Sequence, residues 1–219
     1  MHPNLSYQFE FEENRHQIII IENPINFTKF CQELVEQCSG KEGKFVLSEE
    51  ENILPMDKFV YMIIDPFSLD FNQRRILNKL YTELKELAMS QTLYLETNTM
   101  LVGMEKYIMQ LIAHSEYPIA YEEIDFTGIF KMANLKMETT YENMVEKIVD
   151  YMKIMRDICN LSICVLVNIK TYLSEKEINQ VYEFAEYNKI HLLLIESNEK
   201  KRNGKEKVCI WDKDSCEIY

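Results

Sequence analysis

Leu161-Ser-Ile-Cys-Val-Leu-Val-Asn168 opens the stretch that decides the fold, and Ile190-His-Leu-Leu-Leu-Ile195 closes it. Both runs are short, uncharged and apolar, which is the composition of a strand buried on both faces. Between them lie a turn, Ile169-Lys-Thr-Tyr-Leu173, and a helix signal. Ser174 stands as N-cap with Glu177 three residues on, a capping box, and Ile178, Val181, Tyr182 and Ala185 recur at helical spacing until about Asn188. A strand, a helix and a second strand in this order make a βαβ unit, which requires a parallel sheet and a right-handed crossover.

Working outward, 219 residues suit one α/β core with a sizeable insertion. No uncharged apolar run approaches the roughly eighteen residues of a membrane span. Met1 is not followed by a basic segment and an apolar run, so no signal peptide is expected and the chain reads as cytosolic. Six cysteines fall mostly inside apolar patterns without a CxxC pair, and they read as reduced core residues. The four histidines are scattered, so no local metal or triad signature appears. The formal net charge of −12 argues against a free-standing nucleic-acid binder while leaving room for a local basic surface.

Leu5–Phe11 alternates apolar and polar residues and predicts a half-exposed strand. His16–Ile21 predicts a buried one. Asn23-Pro24 then supplies an N-cap and a first-turn proline. Ile25, Phe27, Phe30, Cys31, Leu34, Val35 and Cys38 predict the inner face of the following helix, which ends at Ser39-Gly40. Lys41–Lys44 reads as a turn, Phe45–Leu47 as a short strand, Glu49-Glu50-Glu51 as an acidic loop, and Phe59–Ile64 as a further buried strand. From Pro66 the pattern turns helical. Long helices are predicted over 72–89, through Ile76, Leu77, Leu80, Leu84 and Leu87, and over 93–114, through Leu101, Met104, Ile108, Leu111 and Ile112, as a protruding antiparallel hairpin. A break at Glu116-Tyr-Pro118, a shorter helix over 122–134 and an extended Leu135–Met137 follow. Thr139 or Thr140 is expected to cap a return helix with Met144, Val145, Ile148, Tyr151, Met152, Met155 and Cys159 inward. The expected organisation is an α/β head with a mainly parallel sheet, residues 1–65 and 140–219, and an inserted α-helical leg, residues 66–139. Beyond Ser197, the charged run 199–207 holds a hairpin-like Asn203-Gly204, and two short strands end the chain.

An α/β core with a helical insertion invites comparison with nucleotide-binding ATPases, but no phosphate-binding loop is present. Gly40-Lys-Glu-Gly43-Lys44 is too short for the GxxxxGK[ST] spacing and follows a helix, not a strand. Glu116, Glu122, Glu123 and Asp125 bracket the proline break. They read either as first-turn carboxylates favoured by a helix dipole or as oxygen ligands for calcium in a loop that is not an EF-hand. Lys131, Lys136 and the basic loop at Lys200, Lys201, Arg202, Lys205 and Lys207 read either as solvated surface or as phosphate contacts.

Val165-Leu-Val-Asn168, Tyr172-Leu-Ser-Glu-Lys-Glu-Ile178 and Leu192-Leu-Leu-Ile-Glu196 together resemble the type II-A CRISPR adaptation proteins, the non-nuclease fourth component of those loci. Asp65–Asn72 with Ile76–Leu80, Tyr121-Glu-Glu-Ile124, Phe130-Lys131, Leu135-Lys136 and Asp212-Lys-Asp214 extend the resemblance along nearly the whole chain. The resemblance implies a homotetrameric ring with a degenerate ATPase-like head and a helical leg. It implies binding of linear double-stranded DNA ends in the central hole, calcium as the bound ion, no catalytic residues, and spacer acquisition beside the CRISPR integrase and the effector nuclease. Lys131 and Lys136, with Lys41 and Lys44 behind them, become the expected DNA-binding residues. Pro118, Ile119 and Ala120 stand where the family carries further carboxylates. The alternatives are an ATPase or nuclease whose site assembles from dispersed residues, and a purely structural bridging protein.

Overall fold

The structure is a computed structural model that describes residues 2–50 and 52–219. The chain forms two compact units, one from the residues up to Asp70 with Thr140–Tyr219, the other Phe71–Thr139. The first unit is built on a six-stranded sheet, and its long strands are the apolar runs of the sequence. These are β1 (His16–Ile21), β4 (Val60–Ile63), β5 (Ile163–Val167), β6 (His191–Glu196) and β7 (Glu206–Trp211), with β8 (Glu217–Ile218) at one edge. The order is β4-β5-β6-β1-β7-β8, parallel throughout except for β8. β1 lies centrally, its Gln17 opposite both Leu193 and Lys207, and all six of its residues are buried.

The deciding βαβ unit forms as its sequence dictates. β5 and β6 pair in parallel, and α7 (Glu175–Tyr187) starts with the Ser174/Glu177 capping box, burying Ile178, Val181, Tyr182 and Ala185. Opposite faces of the sheet carry different cover because successive side chains alternate. Tyr61 meets Tyr151 of α6 (Met144–Asp157), and His16 stacks on Tyr182, so α6 and α7 share one face. The other face presents Ile19, Ile21, Val60, Val165 and Leu193 to α1 (Pro24–Cys38) through Phe30 and Leu34.

Several local expectations need correction. Leu5–Phe11 alternates in burial as its pattern demands, with Leu5 in the core, yet it is no strand. Two of its amides go to a side chain, the Glu217 carboxylate accepting from Ser6 N at 2.8 Å and Tyr7 N at 2.9 Å, while the Leu5 N–H donates to the His2 carbonyl at 3.0 Å. Alternation records which way side chains face and says nothing about a ladder. In α1, Ile25 and Val35 face solvent while Gln37 is buried, its amide bridging the backbone of Phe45. The short strand lies later than expected: β2 (Leu47–Glu49) pairs with β3 (Asn52–Leu54), so the acidic run is the tip of a hairpin in which Glu50 takes a positive φ of 53°. Glu51 lies outside the described residues. Phe59 ends a short helix, α2 (Met56–Phe59), so β4 begins at Val60. Asn143, not Thr139 or Thr140, caps α6, accepting from Glu146 N at 3.0 Å. Asn203-Gly204 joins no hairpin, because β7 crosses over β1 to pair on its far side. All six cysteines are free and Cys216 is exposed.

The second unit contains α3 (Arg74–Ala88), α4 (Tyr94–Ala113) and α5 (Phe126–Met132). α3 buries Ile76 and Tyr81, and Tyr81 packs on Phe130 of α5 with ring centroids 5.7 Å apart. α4 behaves differently. Leu101, Met104, Ile108 and Ile112 are half-buried as predicted, but Leu111, and Leu87 of α3, expected inward with them, are exposed, and of the twenty residues of α4 only Thr97 is buried. No helix among the described residues is long and apolar enough to cross a membrane.

Candidate functional site

The helix expected over 122–134 begins four residues later, at Phe126. Asp125 takes an extended conformation, and Glu122 and Glu123 belong to an irregular segment following the Pro118 break. Glu116, Glu122 and Glu123 are exposed and lie outside any first turn, so the helix dipole does not account for them. Asp125 meets Lys85 at 3.4 Å. Slight desolvation, which would raise this carboxyl's pKa, is outweighed by hydrogen bonds from Thr127 and Lys85, which hold it below the ordinary aspartate value. Among the described residues, no group of three or more histidine, cysteine, aspartate or glutamate side chains gathers at ion-holding distance. In this arrangement the four carboxylates do not form a cage.

Lys131 and Lys136 are exposed on a well-anchored platform. Phe126 is buried against Phe130, Tyr81 donates its hydroxyl to the Leu135 carbonyl at 2.9 Å, and Asn72 brackets Met137, accepting from its N–H at 2.7 Å and donating to its carbonyl at 3.2 Å. Lys136 is therefore fixed on both sides of its backbone. Among the described residues neither lysine makes an ion pair. Lys41 and Lys44 differ: they meet Glu36 at 3.6 Å and Glu33 at 3.0 Å, and Glu33 also takes His2 at 2.8 Å. Hydrogen bonds from His2 and Lys44 hold the Glu33 carboxyl below its ordinary pKa.

The basic loop is matched charge for charge along most of its length. Lys201 pairs with Glu175, Arg202 with Glu199, Lys205 with Glu186 and Lys207 with Glu12, each at 2.6–2.8 Å. Such a loop projects little net field.

After β1, where a phosphate loop would stand, the Asn23 side chain accepts from Ile25 N and Asn26 N, and Pro24 has no N–H to give. The first-turn amides of α1 are thus engaged by the chain itself. Gly43 has a packing role: a Cβ there would lie 2.3 Å from the Gln37 side chain that bridges Phe45. Sequence reasoning missed one polar cluster. Glu206 accepts from Lys170 Nζ at 2.7 Å and Tyr182 Oη at 2.8 Å, and buried Glu196 accepts from Lys170 N at 3.1 Å. Burial pushes the Glu196 carboxyl up to about 7, against the opposing effect of Lys170. The only local hint was a glutamate ending an otherwise apolar strand.

The model of the CRISPR-associated protein Csn2 family matches residues 37–215, taking in both units. The chain belongs to the CRISPR-associated protein Csn2 family. A CRISPR-associated protein Csn2 of Enterococcus faecalis is 27% identical over 168 residues, which cover 74% of each chain. As a Csn2-family protein it has a CRISPR-associated role, and its head is the mainly parallel α/β sheet expected from the βαβ unit.

Proposed function

We propose that this Csn2-family chain is a non-catalytic, ring-forming protein that holds the ends of linear double-stranded DNA during CRISPR spacer acquisition, beside the integrase and the effector nuclease. The observation that carries the DNA reading is the contrast among the lysines. Lys131 and Lys136 are exposed, anchored through their backbone and unpaired among the described residues, whereas Lys41, Lys44 and most of the 199–207 loop are spent on carboxylates. A chain of net charge −12 repels phosphate at long range. Binding therefore needs unpaired lysines concentrated on one surface, and a closed symmetric assembly concentrates them by repetition. The assembly reading is supported by α4, which exposes two apolar stripes on different sides, Leu95, Val102 and Met109 on one and Met100, Tyr107 and Leu111 on the other, more than one chain covers and surface that a second copy can take.

Gel shifts without nucleotide test the reading. Linear duplex should bind and a covalently closed circle of the same sequence should bind far more weakly, because a closed ring is threaded from an end. Lys131→Glu/Lys136→Glu should weaken binding alike on unrelated sequences and lower the salt dependence, since fewer counterions are released. Equal binding of the circle by an assembly shown not to open would sink the threading mechanism. The enzyme alternative is met by an ATPase assay run beside the gel: turnover above blank, lost on changing Lys44, would favour it. Calcium belongs to the same proposal, with Glu116, Glu122, Glu123 and Asp125 as ligands. Glu116, Glu122 and Glu123 lie in irregular backbone outside the helices and strands, and only Asp125, whose carbonyl accepts from Gly128 N and Ile129 N, is tied to a helix start.

A further inference from the structure

The two faces of the sheet are covered unequally. α6 and α7 lie on one face, but among the described residues α1 is the only long helix on the other, where the short α2, a two-stranded hairpin and the extended strap before β1 make up the rest. Between them remains an open cleft of about 570 Å³, within the ordinary range of binding sites. Its floor is Ile163 and Leu193, and Phe9, Phe11, Phe45 and Phe59 line it, all four rings only half-buried. The apolar surface continues outward at Val46, which stands just before the hairpin, lines the cleft and is 43% exposed.

The carboxylates that line the cleft have one sign, and Lys207, which lies near Glu10, is paired with Glu12. Glu10 and Glu49 line the cleft and are exposed, and Glu13 stands near His191. Burial lowers the pKa of His191 below the ordinary value despite Glu13, so the floor supplies no cation at neutral pH. Lys44, next to Phe45, is held by Glu33, and α2 contributes one charge of each sign, Asp57 and Lys58.

We infer that this cleft is a docking site for a segment of a partner protein in which bulky apolar side chains are flanked by lysine or arginine. The cleft takes the apolar anchors, Val46 takes their continuation, and Glu10 and Glu49 meet the flanking cations, steering association as complementary rims do. This surface is separate from the Lys131 and Lys136 platform, so the inference does not rest on DNA binding.

Fluorescence anisotropy of the full chain tests it, using a labelled short peptide of Phe and Leu flanked by lysines, a twin with glutamate for lysine, and anilinonaphthalene sulfonate as a small apolar probe. The lysine peptide should bind and its twin should not. Glu10→Lys/Glu49→Lys should weaken the lysine peptide about tenfold, roughly 1.4 kcal/mol. Val46→Ser, a change at the surface that leaves the core intact, should weaken it severalfold with the melting temperature unchanged. Equal binding of the two peptides, or an unchanged affinity in both variants, overturns the inference. So does binding of the small probe alone, which would make the cleft a small-molecule pocket.

Discussion

Glu196 shows how much one buried residue can decide. The folded chain keeps a proton there up to about pH 7, whereas an unfolded chain releases it near the ordinary glutamate value. Because the native state binds more protons across that window, stability falls as pH rises through it. The contribution is fully present below the unfolded pKa and is lost above the folded one, on the order of 2–3 kcal/mol. Glu196→Gln keeps the acceptor for Lys170 N and cannot ionise. Its melting temperature should therefore decline several degrees less than that of the wild type between about pH 5.5 and pH 8, at ~2–4 °C per kcal/mol for a chain of this size. Parallel curves would show that Glu196 does not titrate there. Lysines obey the same logic in reverse: Lys131 and Lys44 have identical chemistry, and only the carboxylate beside Lys44 sets them apart.

At the scale of elements, the outcome turned on who satisfies the terminal backbone groups. Asn143, with Glu146 three residues on, is an N-cap signal as clear as Ser174, and it competed with two threonines a few residues earlier. Asn143→Ala should cost ~1 kcal/mol in urea unfolding. Thr139→Ala and Thr140→Ala should stay within about 0.5 kcal/mol, as surface changes do; the opposite ranking would return the cap to the threonines. The segment 116–125 carries the calcium proposal. If its carboxylates close around an ion, calcium should raise the melting temperature of the wild type but not of Glu122→Ala/Glu123→Ala, because oxygen ligands are lost and the carboxylates left behind repel. Equal stabilisation of both proteins would locate the ion elsewhere.

At the scale of the whole molecule, α4 is the element that one chain leaves incomplete. Met100 and Tyr107 lie seven residues apart on one exposed stripe, 43% and 61% accessible. If a second copy covers that stripe, Met100→Glu/Tyr107→Glu should shift the mass measured by light scattering to that of a smaller species, with the helix content by circular dichroism unchanged. A wild-type-sized assembly in the variant would move the interface to another surface. Loss of assembly should also lower DNA affinity, since the lysines of one chain would no longer be joined by those of its copies.

The strands, the βαβ unit, the helices and their caps at Asn23 and Ser174 were legible in the sequence because each rests on local spacing, which survives without knowledge of distant residues. Burial on both faces left Val165 and Leu193 with no polar alternative, so the parallel sheet followed from composition. Tertiary structure alone decided three things. The strap Leu5–Phe11 has a strand's alternation, but its Ser6 and Tyr7 amides go to Glu217, more than two hundred residues away. β7 lies beside β1 and not beside β6, because the sheet's free edge was there. Which lysines are unspent depends on carboxylates that only folding brings near, since a charge is neutralised by its neighbours in space and not by its neighbours in sequence.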